Sequence, residues 1–98
     1  MSLRGKRRPT PPGEILREEF LVPAGLTQRR LAERLGRDVK VIHRIVIGRS
    51  AVTPEMALRL GAARRTTPDF WLNAQRAVDL HDAAARIGEL PAPLLRGR

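Results

Sequence analysis

Gln28, Lys40, His43 and Arg44 are the side chains whose types and spacing could do chemistry, and that chemistry is recognition by hydrogen bonding. Lys40, His43 and Arg44 stand at i, i+3 and i+4, so a helix would gather them on one face. Arginine can donate a bidentate pair to guanine O6 and N7, and lysine can reach the same acceptors or a phosphate oxygen. His43 can donate to a base acceptor or to phosphate. Val39 and Val41 could meet a thymine methyl, or turn inward as packing residues. Gln28 would occupy the first turn of a preceding helix, where side chains and backbone N–H groups meet the DNA backbone. Arg29, Arg37 and Arg49 bracket the set and read as phosphate clamps, which position without specifying sequence.

Catalytic alternatives are poor. There is no cysteine and no tyrosine, and Ser2 and Ser50 are the only serines, so helical spacing assembles no Ser-His-Asp set. His81 has Asp79 and Asp82 beside it, but one histidine with two adjacent carboxylates lacks the spacing of a metal site. The sequence therefore points to a protein that is not an enzyme and needs neither cofactor nor metal.

The elements that must hold these groups are short helices. Residues 27–48, TQRRLAERLGRDVKVIHRIVIG, read as two amphipathic helices joined by a tight turn. Thr27 is an N-cap for the second helix of the chain, Gly36 supplies the positive φ of the turn, and Asp38 caps the third, which runs to about Ile47 and stops at Gly48. Leu31, Ala32 and Leu35 share one face of the former, and Ile42 and Ile45 one face of the latter. The small side chain of Ala32 lets the two helices cross closely. This is the one-dimensional form of a helix-turn-helix, whose second helix enters the major groove.

The flanking segments are helical as well. Pro12-Gly13 opens a first helix, EILREEFLV, which Pro23 and Gly25 end. Thr53-Pro54-Glu55 and Thr67-Pro68-Asp69 repeat one start signal, a cap followed by proline and an acid at the positive end of the helix dipole. They open a fourth helix, MALRLGAA, and a fifth, FWLNAQRAVDLHDAAARI. No run alternates with period two over strand length, so the expected fold is all-α with five helices. Residues 1–11 read as a basic disordered arm, 12–87 as the folded domain and 88–98 as an irregular tail.

Composition agrees. Ninety-eight residues with 42% hydrophobic content suffice for one small core. The basic start is followed by PTPPGE rather than an apolar run, and no apolar stretch approaches a membrane span, so a cytoplasmic location is expected. The net charge of +9 is uneven: +4 on residues 1–11, −2 on 12–25, +5 on 26–50, zero on 51–93 and +2 at the end. Arginine codon preference explains why there are 17 arginines and two lysines, but not why charge gathers on the groove-reading segment.

Beyond these patterns, PGEILREEFL, GLTQRRLAERLG, RIVIGRSAVTPEMALRL and TTPDFWLNAQRAVDL resemble the HigA-type antitoxin branch of the XRE (Cro/repressor-like) helix-turn-helix family. The resemblance covers about residues 11–82. It implies a five-helix lambda-repressor-like DNA-binding domain that dimerises on a palindromic operator, neutralises a HigB-type mRNA-cleaving toxin and represses its own operon. By position, Gln28, Val39, Lys40, His43 and Arg44 would face DNA. Dimer contact would fall on the fifth helix, through Phe70, Trp71, Leu72, Ala74 and Val78, with Phe70 and Trp71 equally suited to plain core packing. Two other roles fit the same residues, a stand-alone or phage-type repressor without a toxin and a toxin-neutralising protein with weak DNA binding. The chain departs from the family pattern where Val39 and Val41 replace polar residues and where Ile47 replaces an asparagine. It departs again at Arg64 and Arg65, which stand for an apolar residue and a helix-ending glycine, and at His81, which stands for a tryptophan.

Overall fold

Thr27, Asp38, Thr53 and Thr67 each halt the chain in extended geometry, and each side chain accepts a backbone N–H from the first turn of the helix that follows. Such a cap contributes about 1 kcal/mol, and four in succession set the boundaries of most of the molecule. The computed structural model describes residues 7–94. Arg4 and Lys6 of the basic arm, and Arg96 and Arg98 of the tail, lie outside the described residues. Among the described residues there are helices and no strand.

Helix α1 is one continuous rod in three parts. It is α-helical over Pro12–Ile15, widens to π-helical geometry over Leu16–Leu21, and closes as Val22–Ala24 before Gly25 turns left-handed at φ 62°. The cause of the wide turn is Pro23. Proline cannot donate to the ladder, and in an α-helix its ring would collide with the carbonyl four residues back, that of Glu19. The widened turn shifts the bonding so that the Val22 N–H reaches the Arg17 carbonyl instead. The helix therefore passes through Pro23 and ends at Gly25.

Helix α2 spans Gln28–Leu35, α3 Val39–Val46, α4 Pro54–Arg64 and α5 Pro68–Ile87. Gly36 takes the left-handed turn after α2 at φ 70°, and the Arg37 N–H closes it on the Ala32 carbonyl. The core is one cluster in which Leu16 and Leu21 of α1 meet Leu31, Ala32 and Leu35 of α2, Ile42 and Ile45 of α3, Val52 of the following loop, and Met56, Ala57 and Leu60 of α4. Trp71 closes it from α5, with no solvent exposure and its indole N–H donated to the Thr66 hydroxyl at 2.7 Å. Phe20 and Phe70 stack about that ring, their centroids 5.3 and 5.1 Å from it.

Helix α4 ends differently from an ordinary glycine-capped helix. Arg65 itself adopts the left-handed conformation, φ 55° and ψ 39°, so the two arginines at this corner extend the helix and then cap it. Further along, α5 outruns the core. Its buried residues are Trp71 and Val78, and from Asp79 to Ile87 none of its residues is buried. Arg8, from the end of the basic arm, lies against this outer half and makes a bidentate pair with Asp82, both contacts at 2.9 Å.

Candidate nucleic-acid interface

The turn between α2 and α3 is short, and the burial of Ala32 against Ile42 and Ile45 brings the two helices together. That packing sets the N-terminus of α2 beside the outer face of α3. There Gln28 Oε1 accepts from His43 Nδ1 at 3.2 Å, fifteen residues along the chain. With Gln28 Oε1 as the acceptor, Nδ1 carries the proton, and Nε2 of neutral His43 is an acceptor. A neutral His43 therefore suits a base amino group, whereas its charged form suits phosphate.

Lys40 and Arg44 are exposed on the same face, and neither is ion-paired among the described residues. Arg29 and Arg49 are exposed likewise. Arg37 is exposed too, but its guanidinium lies 3.5 Å from Glu55 on α4, so an intramolecular carboxylate competes with any phosphate. The same Glu55 oxygen holds Arg59 at 3.0 Å, and Arg59 donates to the Leu35 carbonyl at 2.6 Å. Arg59 thus satisfies an orphan carbonyl at the end of α2 and fixes the turn from outside. Sequence reasoning missed both roles, for which the i, i+4 spacing of Glu55 and Arg59 was the available signal.

Val39 and Val41 are half-buried and pack against the core cluster. Their apolar surface is largely engaged inside the protein, which explains how two valines stand where polar side chains are usual. The loop behind the reading face is held as well, since the Val52 N–H donates to Gln75 Oε1 of α5 at 2.9 Å. Ile47 is exposed at the end of α3, where Gly48 turns at φ 79°.

On α5 the residues chosen from sequence divide. Trp71 is 0% and Val78 4% exposed within the single chain, so neither has surface left for a partner. Leu72 and Ala74 are half-buried and Phe70 is exposed. The reason is helical phase: positions 71 and 78, seven apart, share the face turned to the core. The opposite face carries Leu80 and Ile87, 58% and 60% exposed, with half-buried Ala84 between them. These three, at i, i+4 and i+7, are the apolar surface that sequence reasoning overlooked, although their spacing was there to be read.

Among the described residues no group of three His, Cys, Asp or Glu side chains could hold a metal ion, and no helix is long and apolar enough to cross a membrane.

No protein-family model matches the chain. Individual relatives do. Over 84 residues, 86% of this chain and 79% of the relative, it is 44% identical to antitoxin HigA-1 of Vibrio cholerae. Its fold matches that of the Pseudomonas aeruginosa antitoxin HigA solved with the higBA promoter, with a TM-score of 0.83 and 35% identity over 89% of this chain and all of that one. It matches antitoxin GraA in complex with its operator at a TM-score of 0.80 and 40% identity, over 94% of this chain and 98% of that one.

Proposed function

The chain belongs to the HigA family of helix-turn-helix antitoxins, and on that footing we propose that it neutralises a HigB-type toxin and, as a dimer, binds operator DNA to repress its own operon. The action is binding and not catalysis, and it takes place in the cytoplasm, where the operon and its transcript are.

One observation carries the DNA half of this reading. The Gln28–His43 hydrogen bond joins the N-terminus of α2 to the exposed face of α3, and Lys40 and Arg44 stand unpaired beside it. Two donors, a locked imidazole and a helix N-terminus then face outward together. A duplex offers base acceptors and amino groups in the major groove and phosphates along its rim to match them. Arg29 and Arg49 supply flanking charge, while Arg37 must exchange Glu55 for phosphate.

The test is an operator titration at several salt concentrations, using the promoter of the chain's own operon. Affinity should fall steeply and linearly in log–log form as salt rises, because phosphate contacts release counterions. Affinity indifferent to salt, or equal for promoter and random DNA, would defeat the repressor reading. The toxin half is tested by co-expressing the product of any short reading frame found beside this gene. The pair should co-purify, and growth arrested by that product alone should recover.

A further inference from the structure

We propose that the cleft between α2 and the end of α4 is a docking site for an acidic, partly apolar segment of a protein partner. It is an open concavity of about 470 Å³ lined by Leu26, Arg30, Arg34, Ala62, Ala63 and Arg64. Three of the six lining residues are arginines and the other three are small or aliphatic. Arg30 and Arg34 are one turn apart on α2, so their guanidinium groups share a face. None of the three arginines is ion-paired among the described residues. Glu33, between Arg30 and Arg34 in the sequence of α2, forms no ion pair with either, and Glu55 at the start of α4 is held by Arg59 and Arg37.

Arg64 is the distinctive member. Its guanidinium lies over the Phe20 ring, 5.5 Å from the centroid, and its Nε is covered by protein with no acceptor. An aromatic face holds the cation in place but supplies no hydrogen bond to it. A cation fixed beside a concave, partly apolar floor is complementary to a carboxylate carried on a chain with apolar neighbours. Carboxylate and guanidinium form strong, directional pairs in such a setting.

A DNA backbone fits less well. Its phosphates are hydrated and project from a convex surface, and none of Gln28, Lys40, His43 and Arg44 lines the cleft. An acidic peptide with alternating apolar side chains uses both the charge and the floor. That the partner is the toxin rests on the antitoxin reading; the chemistry of the cleft does not.

The experiment titrates the full-length protein with a short, end-blocked, dye-labelled peptide of alternating glutamate and leucine, read by fluorescence anisotropy, beside its glutamine counterpart. The glutamate peptide should bind and the glutamine one should not. R30E/R34E should weaken peptide binding by about tenfold or more, the scale of one or two charge-assisted hydrogen bonds. Both side chains are exposed, and circular dichroism checks that the variant folds. Operator affinity should change far less than peptide affinity. Peptide binding unchanged by R30E/R34E, absent altogether, or lost only in proportion to operator binding would overturn the proposal, the last assigning these arginines to phosphate. Co-purification with the neighbouring gene product separates the two readings. If R30E/R34E retains a toxin that the wild type captures, the cleft is not its site and the antitoxin role stands. If the wild type captures none, the antitoxin role itself fails.

Discussion

Among the described residues Arg44 has no carboxylate partner, so its guanidinium is available to a base edge without first breaking a contact. Arg44→Ala is expected to cost about 1–3 kcal/mol of operator affinity and to relax discrimination at one base pair. A binding series over single-base operator variants measures this, and equal loss on random DNA would mean that Arg44 meets only phosphate. Arg65 offers a stability test in the same region of scale. Its left-handed backbone costs a side-chain-bearing residue about 1–2 kcal/mol. Glycine removes that strain while adding about 0.4–1 kcal/mol of unfolded-state entropy. Arg65→Gly should therefore stabilise the protein by roughly 0.5–1 kcal/mol, the difference of those two terms. Urea unfolding at constant m-value reads it, and a loss of stability would show that the arginine side chain contributes more than its strain removes.

Elements pack here through contacts as tight as the backbone permits, and α1 against α3 is the extreme case. A Cβ built on Gly13 would lie 1.9 Å from the Ile45 carbonyl oxygen and 2.9 Å from Val46 Cα. Both obstacles are backbone, so no rotamer change relieves the overlap and α1 must move away. Gly13→Ala should destabilise by about 1–3 kcal/mol, the usual range for overpacking. Thermal and chemical unfolding check it, and an unchanged midpoint would mean that α1 adjusts freely. This contact was invisible in one dimension, since PGE reads as a helix start whatever lies behind it. What could be read was local chemistry. The caps at Thr27, Asp38, Thr53 and Thr67, the turn at Gly36 and the buried pairs Leu31–Leu35 and Ile42–Ile45 all depend on neighbours within a few residues. What could not be read depends on distant partners. The π-helical turn before Pro23, the Arg59–Leu35 bond and the inward packing of Val39 and Val41 belong to this group. The α5 residues were only partly legible for a related reason: Phe70, Trp71 and Leu72 form a cluster in sequence, while helical phase turns Trp71 and Val78 into the core.

At the scale of the whole molecule, the outer half of α5 has two faces to account for. Toward the chain's own beginning it holds Arg8, through Asp82. The hydrogen bonds from Arg8 pull the Asp82 carboxyl down to about 2 from an ordinary 3.8. A depressed carboxylate contributes stability above its unfolded pKa and loses that contribution as pH falls through the folded one. The Arg8–Asp82 pair should thus stay formed at neutral pH and release between about pH 4 and 2. Carboxyl-carbon NMR of Asp82 follows this, and Arg8→Ala should return the titration to the ordinary range; an Asp82 that titrates there in the wild type would show the pair is not formed. Toward solvent, the same half presents Leu80, Ala84 and Ile87, more apolar surface than an isolated helix end has reason to expose. A second copy meeting it across a two-fold axis would bury that strip against itself, since isologous contact pairs each residue with its own kind of surface. Two reading helices would then be carried about 34 Å apart, one turn of duplex, and a palindromic operator would engage both. Leu80→Glu sets a charge from each protomer within that apolar contact. It should convert a dimer into monomers by analytical ultracentrifugation and cut operator affinity, while leaving the protomer's helicity intact because Leu80 takes no part in its core. Half-site DNA should then bind variant and wild type alike, which separates lost pairing from a damaged reading face. A variant that remains dimeric would move the interface off this strip, toward Phe70 and Leu72 nearer the start of α5.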